Sequence, residues 1–94
     1  SMELKLKSGK KIKIKDVSVD EKDILLDSLQ YEYNDDGTVK NMALVHSTTT
    51  KWIRVAVDGD TSDKFLKTLS LEDRTEIFVA LQENLLVGEQ KASD

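Results

Sequence analysis

The chain has 94 residues, no cysteine and no proline, with 34% charged and 5% aromatic residues and a net charge of −4. This is enough chain for one small domain, residues 1–94, burying roughly 60–65% of its unfolded surface. It excludes a disulfide framework and a thiolate metal site. Apolar runs stay far below the roughly 18 residues of a membrane span, and sparse aromatics argue against a base-stacking nucleic-acid platform.

Charge is distributed unevenly. Lys5, Lys7, Lys10, Lys11, Lys13 and Lys15 stand against Glu3 alone in the first fifteen residues, a local charge of +5 that leaves −9 for the rest. A basic head on an acidic body suggests two surfaces with different partners. Ser1 ahead of Met2 reads as a residue left by tag cleavage and is set aside. The alternation of leucine and lysine that follows is not a signal peptide, which points to a cytoplasmic protein.

Residues 2–15 alternate apolar and charged side chains, the pattern of a half-buried strand. Parity selects the turn. A two-residue Ser8-Gly9 loop would mix apolar and charged residues on each face. A three-residue Lys7-Ser8-Gly9 loop pairs Leu6 with Lys10, Leu4 with Ile12 and Met2 with Ile14, which keeps one face apolar. It also places Gly9 at the left-handed position of a G1 bulge. The hairpin is marginal alone, so its apolar face must lie on helices.

Ser18 followed by Glu21 forms a capping box, with Asp20 and Glu21 suited to the positive end of a helix dipole. The spacing predicts a helix from Val19 to Tyr33 with Leu25, Leu26, Leu29 and Tyr33 as its buried stripe and Ile24 beside it, stopping at Asn34-Asp35-Asp36-Gly37. Between Thr38 and Val57, apolar residues recur at helical spacing. The β-branched residues of that stretch also permit a strand over Lys51–Val57 as a third member of the hairpin sheet. Helix is the favoured reading, because the stripe persists over five turns and propensity is a weak prior.

Asp60 or Thr61 can cap a short helix reaching Leu69, with Phe65, Leu66 and Leu69 buried. Ser70 and Asp73 resemble a second capping box. It opens a helix to Val87 with Ile77, Phe78, Leu81 and Leu85 facing the core, Gly88 at the C′ position and a polar tail over 89–94. The body over 19–87 is therefore mainly helical. The fold class is α+β: an N-terminal antiparallel hairpin packed on three to four helices.

Few constellations carry chemistry. His46 is the only histidine, the four glycines are scattered at turns, and no nucleophile has an identifiable base. The expectation is a non-enzyme without a cofactor. His46 is expected beside a helix interface as an ordinary polar residue. Asp58, Asp60 and Asp63 lack the spaced oxygen ligands and distant glutamate of a calcium loop, and helix capping accounts for Asp60 and Asp63 more simply.

Two surfaces could bind partners. Lys5, Lys7, Lys11, Lys13 and Lys15 form a basic face. It reads as a solvated strand face blunting a sheet edge, as a contact for an acidic protein, or as a nucleic-acid contact. Arginine and aromatics are absent there, which argues against nucleic acid. On the last helix, Val79 and Leu86 lie a heptad apart and off the core stripe, and with Ala80 they widen the apolar face. The helix is either buried on two sides or docks a partner or a second copy of the chain. Trp52 is either core or an interface anchor.

The Ser8-Gly9-Lys10 turn leads into Lys13-Ile14-Lys15-Asp16-Val17-Ser18-Val19-Asp20-Glu21. Further on, Phe65-Leu66-Lys67-Thr68-Leu69-Ser70-Leu71-Glu72-Asp73-Arg74 runs into Ile77-Phe78. In this order the chain resembles the small tail-assembly chaperone and baseplate-hub assembly proteins of tailed bacteriophages. The resemblance implies a strand-forming start followed by helices. It also implies a non-catalytic assembly factor or virion-associated protein in the host cytoplasm or the virion, with phage tail proteins as partners. A small nucleic-acid-binding module using the lysine face is the alternative.

Overall fold

A computed structural model describes residues 2–43 and 45–92, with side chains described among these except at 30–32, 40–43 and 86–92. The N-terminal hairpin forms in the register that parity selects. Strand β1 (Met2–Lys5) pairs antiparallel with β2 (Lys11–Ile14), placing Met2 opposite Ile14 and Leu4 opposite Ile12. Leu6 N–H donates to the Lys10 carbonyl at 2.8 Å, and Gly9 N–H to the Leu6 carbonyl at 2.9 Å. Gly9 takes φ +97°, a conformation that glycine reaches without the Cβ penalty. Leu6, Ile12 and Ile14 are buried by this register.

Helix α1 (Val19–Asp27) opens on the expected capping box: Glu21 N–H donates to Ser18 Oγ at 3.2 Å, and Ser18 N–H to the Glu21 carboxylate at 3.1 Å. It is shorter than its apolar spacing predicts. Ser28 turns back at its end, with its N–H and hydroxyl both donating to the Leu25 carbonyl. The chain then enters a second antiparallel hairpin, β3 (Gln30–Tyr33) with β4 (Val39–Ala43). Asn34–Gly37 is its turn and not merely a helix stop: Asn34 N–H donates to the Thr38 carbonyl, and Gly37 takes φ +88°. Tyr33, expected on the buried stripe of a helix, is a largely exposed strand residue.

The continuous helix favoured over 38–57 is likewise replaced, by β4 and then α2 (His46–Ala56). β-Branched residues do not prevent α2, because its inner side buries Thr48, Thr49, Trp52, Ile53 and Ala56, and packing outweighs propensity. The third strand that was the alternative reading is present as a single bridge between Val57 and Ile14. Lys15 N–H donates to the Ala56 carbonyl and Asp58 N–H to the Lys13 carbonyl, so the chain leaving α2 covers the outer edge of β2. His46 opens α2 in an exposed position, away from the helix interface expected for it.

Helix α3 (Asp63–Leu66) is capped by Ser62, whose hydroxyl accepts from Phe65 N–H, and not by Asp60 or Thr61. Asp60 instead accepts from Ser62 N–H, and Asp63 pairs with Arg54. Helix α4 (Leu71–Ala92) starts at the second capping box and continues through Gly88. A lone glycine costs roughly 1 kcal/mol in a helix, and the Glu-Gln-Lys-Ala run after it favours helix, so neither a C′ stop nor a polar tail begins there.

The architecture is α+β. The apolar face of the first hairpin lies on a core that joins α1, α2 and α4, with Leu25, Trp52, Ile53, Ile77, Phe78 and Leu81 almost wholly buried. Trp52 and Phe78 meet edge to face, ring centroids 5.2 Å apart, linking α2 to α4.

Candidate interaction surface

The turn of the first hairpin is fastened to the start of α4 through one buried carboxylate. Asp73 occupies the third helical position. It accepts from Ser70 N–H at 3.2 Å, while its own N–H donates to Ser70 Oγ at 3.0 Å. Lys10 reaches across from the turn, its Nζ 3.5 Å from Asp73 Oδ2, and also donates to the Thr68 carbonyl. Ser70 N–H, then the Ser8 hydroxyl, with smaller help from Lys10, hold the Asp73 carboxyl below the usual range. One turn along, Glu76 receives Lys7 N–H on both carboxylate oxygens, at 3.2 and 3.3 Å.

These contacts set the hairpin against one side of α4 and leave a hollow beside it. The hollow measures about 970 Å³ and lies between Lys7 and Ser8 of the turn and Glu76, Val79, Ala80 and Glu83 of α4. Its α4 wall sets Leu71, Val79 and Ala80 among the carboxylates of Glu72, Glu76 and Glu83. Val79 is 45% exposed, and Leu71 of the same wall 62%.

The sequence candidates separate clearly on this structure. Val79 and Ala80 both line the hollow. Leu86 belongs to α4, but its side chain lies outside the described residues. Trp52, for which core and interface anchor were both open, is core: it is fully buried and its Nε1–H donates to Ser28 Oγ at 2.9 Å.

The basic face is partly consumed within the molecule. Lys15 lies 3.3 Å from Glu21, whose carboxyl is held below the usual range first by Ser18 N–H. Lys5, Lys11 and Lys13 remain exposed on the outer face of the hairpin, Lys5 directly opposite Lys11 and Glu3 opposite Lys13. Lys7 borders the hollow, so the basic turn and the α4 face adjoin. Sequence reasoning placed them at opposite ends of the molecule. Their meeting depends on the Lys10–Asp73 and Lys7–Glu76 contacts, which join the two ends of the chain.

The sheet edge that the lysines were read as blunting is that of β1, and parity says which groups it leaves open. Leu6 turns its backbone groups toward β2, and so do Leu4 and Met2 by alternation. Glu3 and Lys5 therefore direct their N–H and C=O outward. Among the described residues no third strand pairs with that edge.

Among the described residues, no group of three or more histidine, aspartate or glutamate side chains is arranged to hold a metal ion. No described helix is long and apolar enough to cross a membrane. Comparison with protein-family models, with curated proteins and with solved structures gives no match.

Proposed function

We propose that this chain is a non-enzymatic assembly protein that docks a protein partner along the Val79–Ala80 side of α4. The observation that carries the reading is the exposure of Val79, with Ala80 next to it, in a hollow that Glu76 and Glu83 also line, beside the basic turn of the first hairpin. Apolar centres with polar rims are the usual anatomy of a docking site. The likeness of the turn and cap motifs to phage tail-assembly and baseplate-hub assembly proteins supports work of the same kind, with tail proteins as the partners.

Immobilised chain presented with the tail and baseplate proteins encoded beside its own gene tests the reading. The wild type retains at least one of them, and Val79→Glu releases it. Val79 is half-exposed, so this variant keeps its fold, checked by circular dichroism. Retention of no such protein, or equal retention by the variant, contradicts the proposal.

A second reading rests on Lys5 standing opposite Lys11, a like-charge pair that a shared anion would relieve. In that reading the outer hairpin face contacts nucleic-acid phosphate. Affinity would then fall with salt, with a log–log slope of about −0.9 per phosphate neutralised. Absence of DNA and RNA binding at low salt removes it.

A further inference from the structure

We propose that the open edge of β1 pairs with β1 of a second copy, in antiparallel register about a two-fold axis through Leu4. The inference goes beyond the docking reading of α4: it concerns the edge of β1, with a second copy of the chain as its occupant. Three observations carry it: which backbone groups are free, which side chains a register brings together, and what lies beneath the joint.

Among the described residues, the free groups of this edge are those of Glu3 and Lys5. Leu6 is bonded toward β2, and Lys7 N–H is already held by Glu76. The opposite edge of the hairpin is covered, since Lys13 and Lys15 bond to Asp58 and Ala56. An incoming strand therefore has one edge to use, limited to residues 2–6.

Outward-facing residues must pair with outward-facing residues, which leaves three symmetric registers. A register centred on Glu3 sets Glu3 against its own copy. A register centred on Lys5 sets Lys5 against its own copy and needs Lys7 N–H, which is occupied. The register centred on Leu4 pairs Glu3 with Lys5 of the other chain twice, Met2 with Leu6 twice, and Leu4 with itself. It is the one in which opposite charges meet at both outward-facing positions and apolar residues meet on the inner face. Lysine on an edge strand normally discourages pairing, and Glu3 across from Lys5 removes that obstacle.

Helix α4 runs antiparallel to β1: Lys7 meets Glu76 at one end, and Met2 borders Asn84 at the other. In sequence Ala80 is midway between Glu76 and Asn84. The two-fold axis that joins the strands makes one four-stranded sheet above the two α4 helices, an isologous closed contact. Met2, 39% exposed in the single chain, comes to lie opposite Leu6 of the other copy, which is already buried in its own core.

Charge exchange at the two exposed positions tests the register. Sedimentation equilibrium of the wild type across micromolar to millimolar concentration shows a monomer–dimer equilibrium. Glu3→Lys and Lys5→Glu each weaken it by about tenfold or more, since two attractive pairs become repulsive. The double variant E3K/K5E restores it. An equimolar mixture of the two single variants forms a heterodimer, because the first carries lysine at both outward-facing positions and the second carries glutamate at both. That mixture also shows that neither single variant has lost its fold.

A wild type that stays monomeric throughout overturns the proposal, and so does a dimer indifferent to both exchanges. A dimer lost only on Val79→Glu assigns self-association to α4 and overturns the strand pairing. Retention of a tail protein is scored separately: a monomer that retains one, or a dimer that retains none, tells the failure of one reading from the failure of the other.

Discussion

The indole Nε1–H of Trp52 donates to the hydroxyl of Ser28 at 2.9 Å, while that hydroxyl donates to the Leu25 carbonyl at 2.6 Å. One small side chain thus ends α1 and satisfies the only polar atom of a fully buried tryptophan side chain on α2. Ser28→Ala leaves the indole N–H buried without an acceptor and costs about 1–3 kcal/mol. Urea unfolding followed by Trp52 fluorescence checks this. A loss below about 0.5 kcal/mol, no larger than an ordinary surface substitution, contradicts it.

The same serine explains what could not be read in advance. Leu25, Leu26, Leu29 and Tyr33 lie at helical spacing, and nothing local forbids continuing the helix. It stops because Ser28 bonds backward to Leu25 and forward to a tryptophan 24 residues away. The second hairpin did leave a local mark, an Asp36-Gly37 pair flanked by Tyr31, Tyr33 and Val39 in alternation, which is a hairpin signal as much as a helix stop. By contrast, the first hairpin, its register and both capping boxes were legible, because each is decided by neighbours within a few residues. Val79 and Ala80 were legible as displaced from the core stripe of α4. Their position beside the basic turn was not, since it depends on contacts between opposite ends of the chain.

Gly9 sits at φ +97° with open space where a Cβ would project. Gly9→Ala therefore meets no clash, and its effect is conformational. It costs about 1–2 kcal/mol through the left-handed backbone alone. Gly9→Asn, better tolerated in that region, costs measurably less. Equal losses for the two variants in thermal unfolding would contradict a backbone origin.

Acid weakens the fold through carboxylates that the folded chain keeps ionised. Asp73 is held below its ordinary value of 3.8, with Ser70 N–H as the main cause, and Glu21 below 4.5, with Ser18 N–H as the main cause. Asp63 is lowered beside Arg54. Because each folded pKa lies below the unfolded one, the unfolded chain binds more protons in this range. The stabilisation is complete above the ordinary values and disappears as pH falls through the folded ones. The melting temperature stays level from neutral pH to about pH 5 and falls below about pH 4. Asp73→Asn melts lower than wild type at neutral pH, and the gap closes as the solution is acidified. A gap that widens in acid contradicts the assignment.

The most direct test of the β1 edge as a working surface is amide hydrogen exchange at single-residue resolution, in dilute and in concentrated solution. Leu6 N–H bonds within its own hairpin, to Lys10, whereas Glu3 and Lys5 turn theirs outward. If β1 pairs with its copy, Leu6 is protected at every concentration. Glu3 and Lys5 then exchange freely when dilute and become protected together as the chain is concentrated. Exchange at Glu3 and Lys5 that stays fast and equal at all concentrations contradicts the pairing.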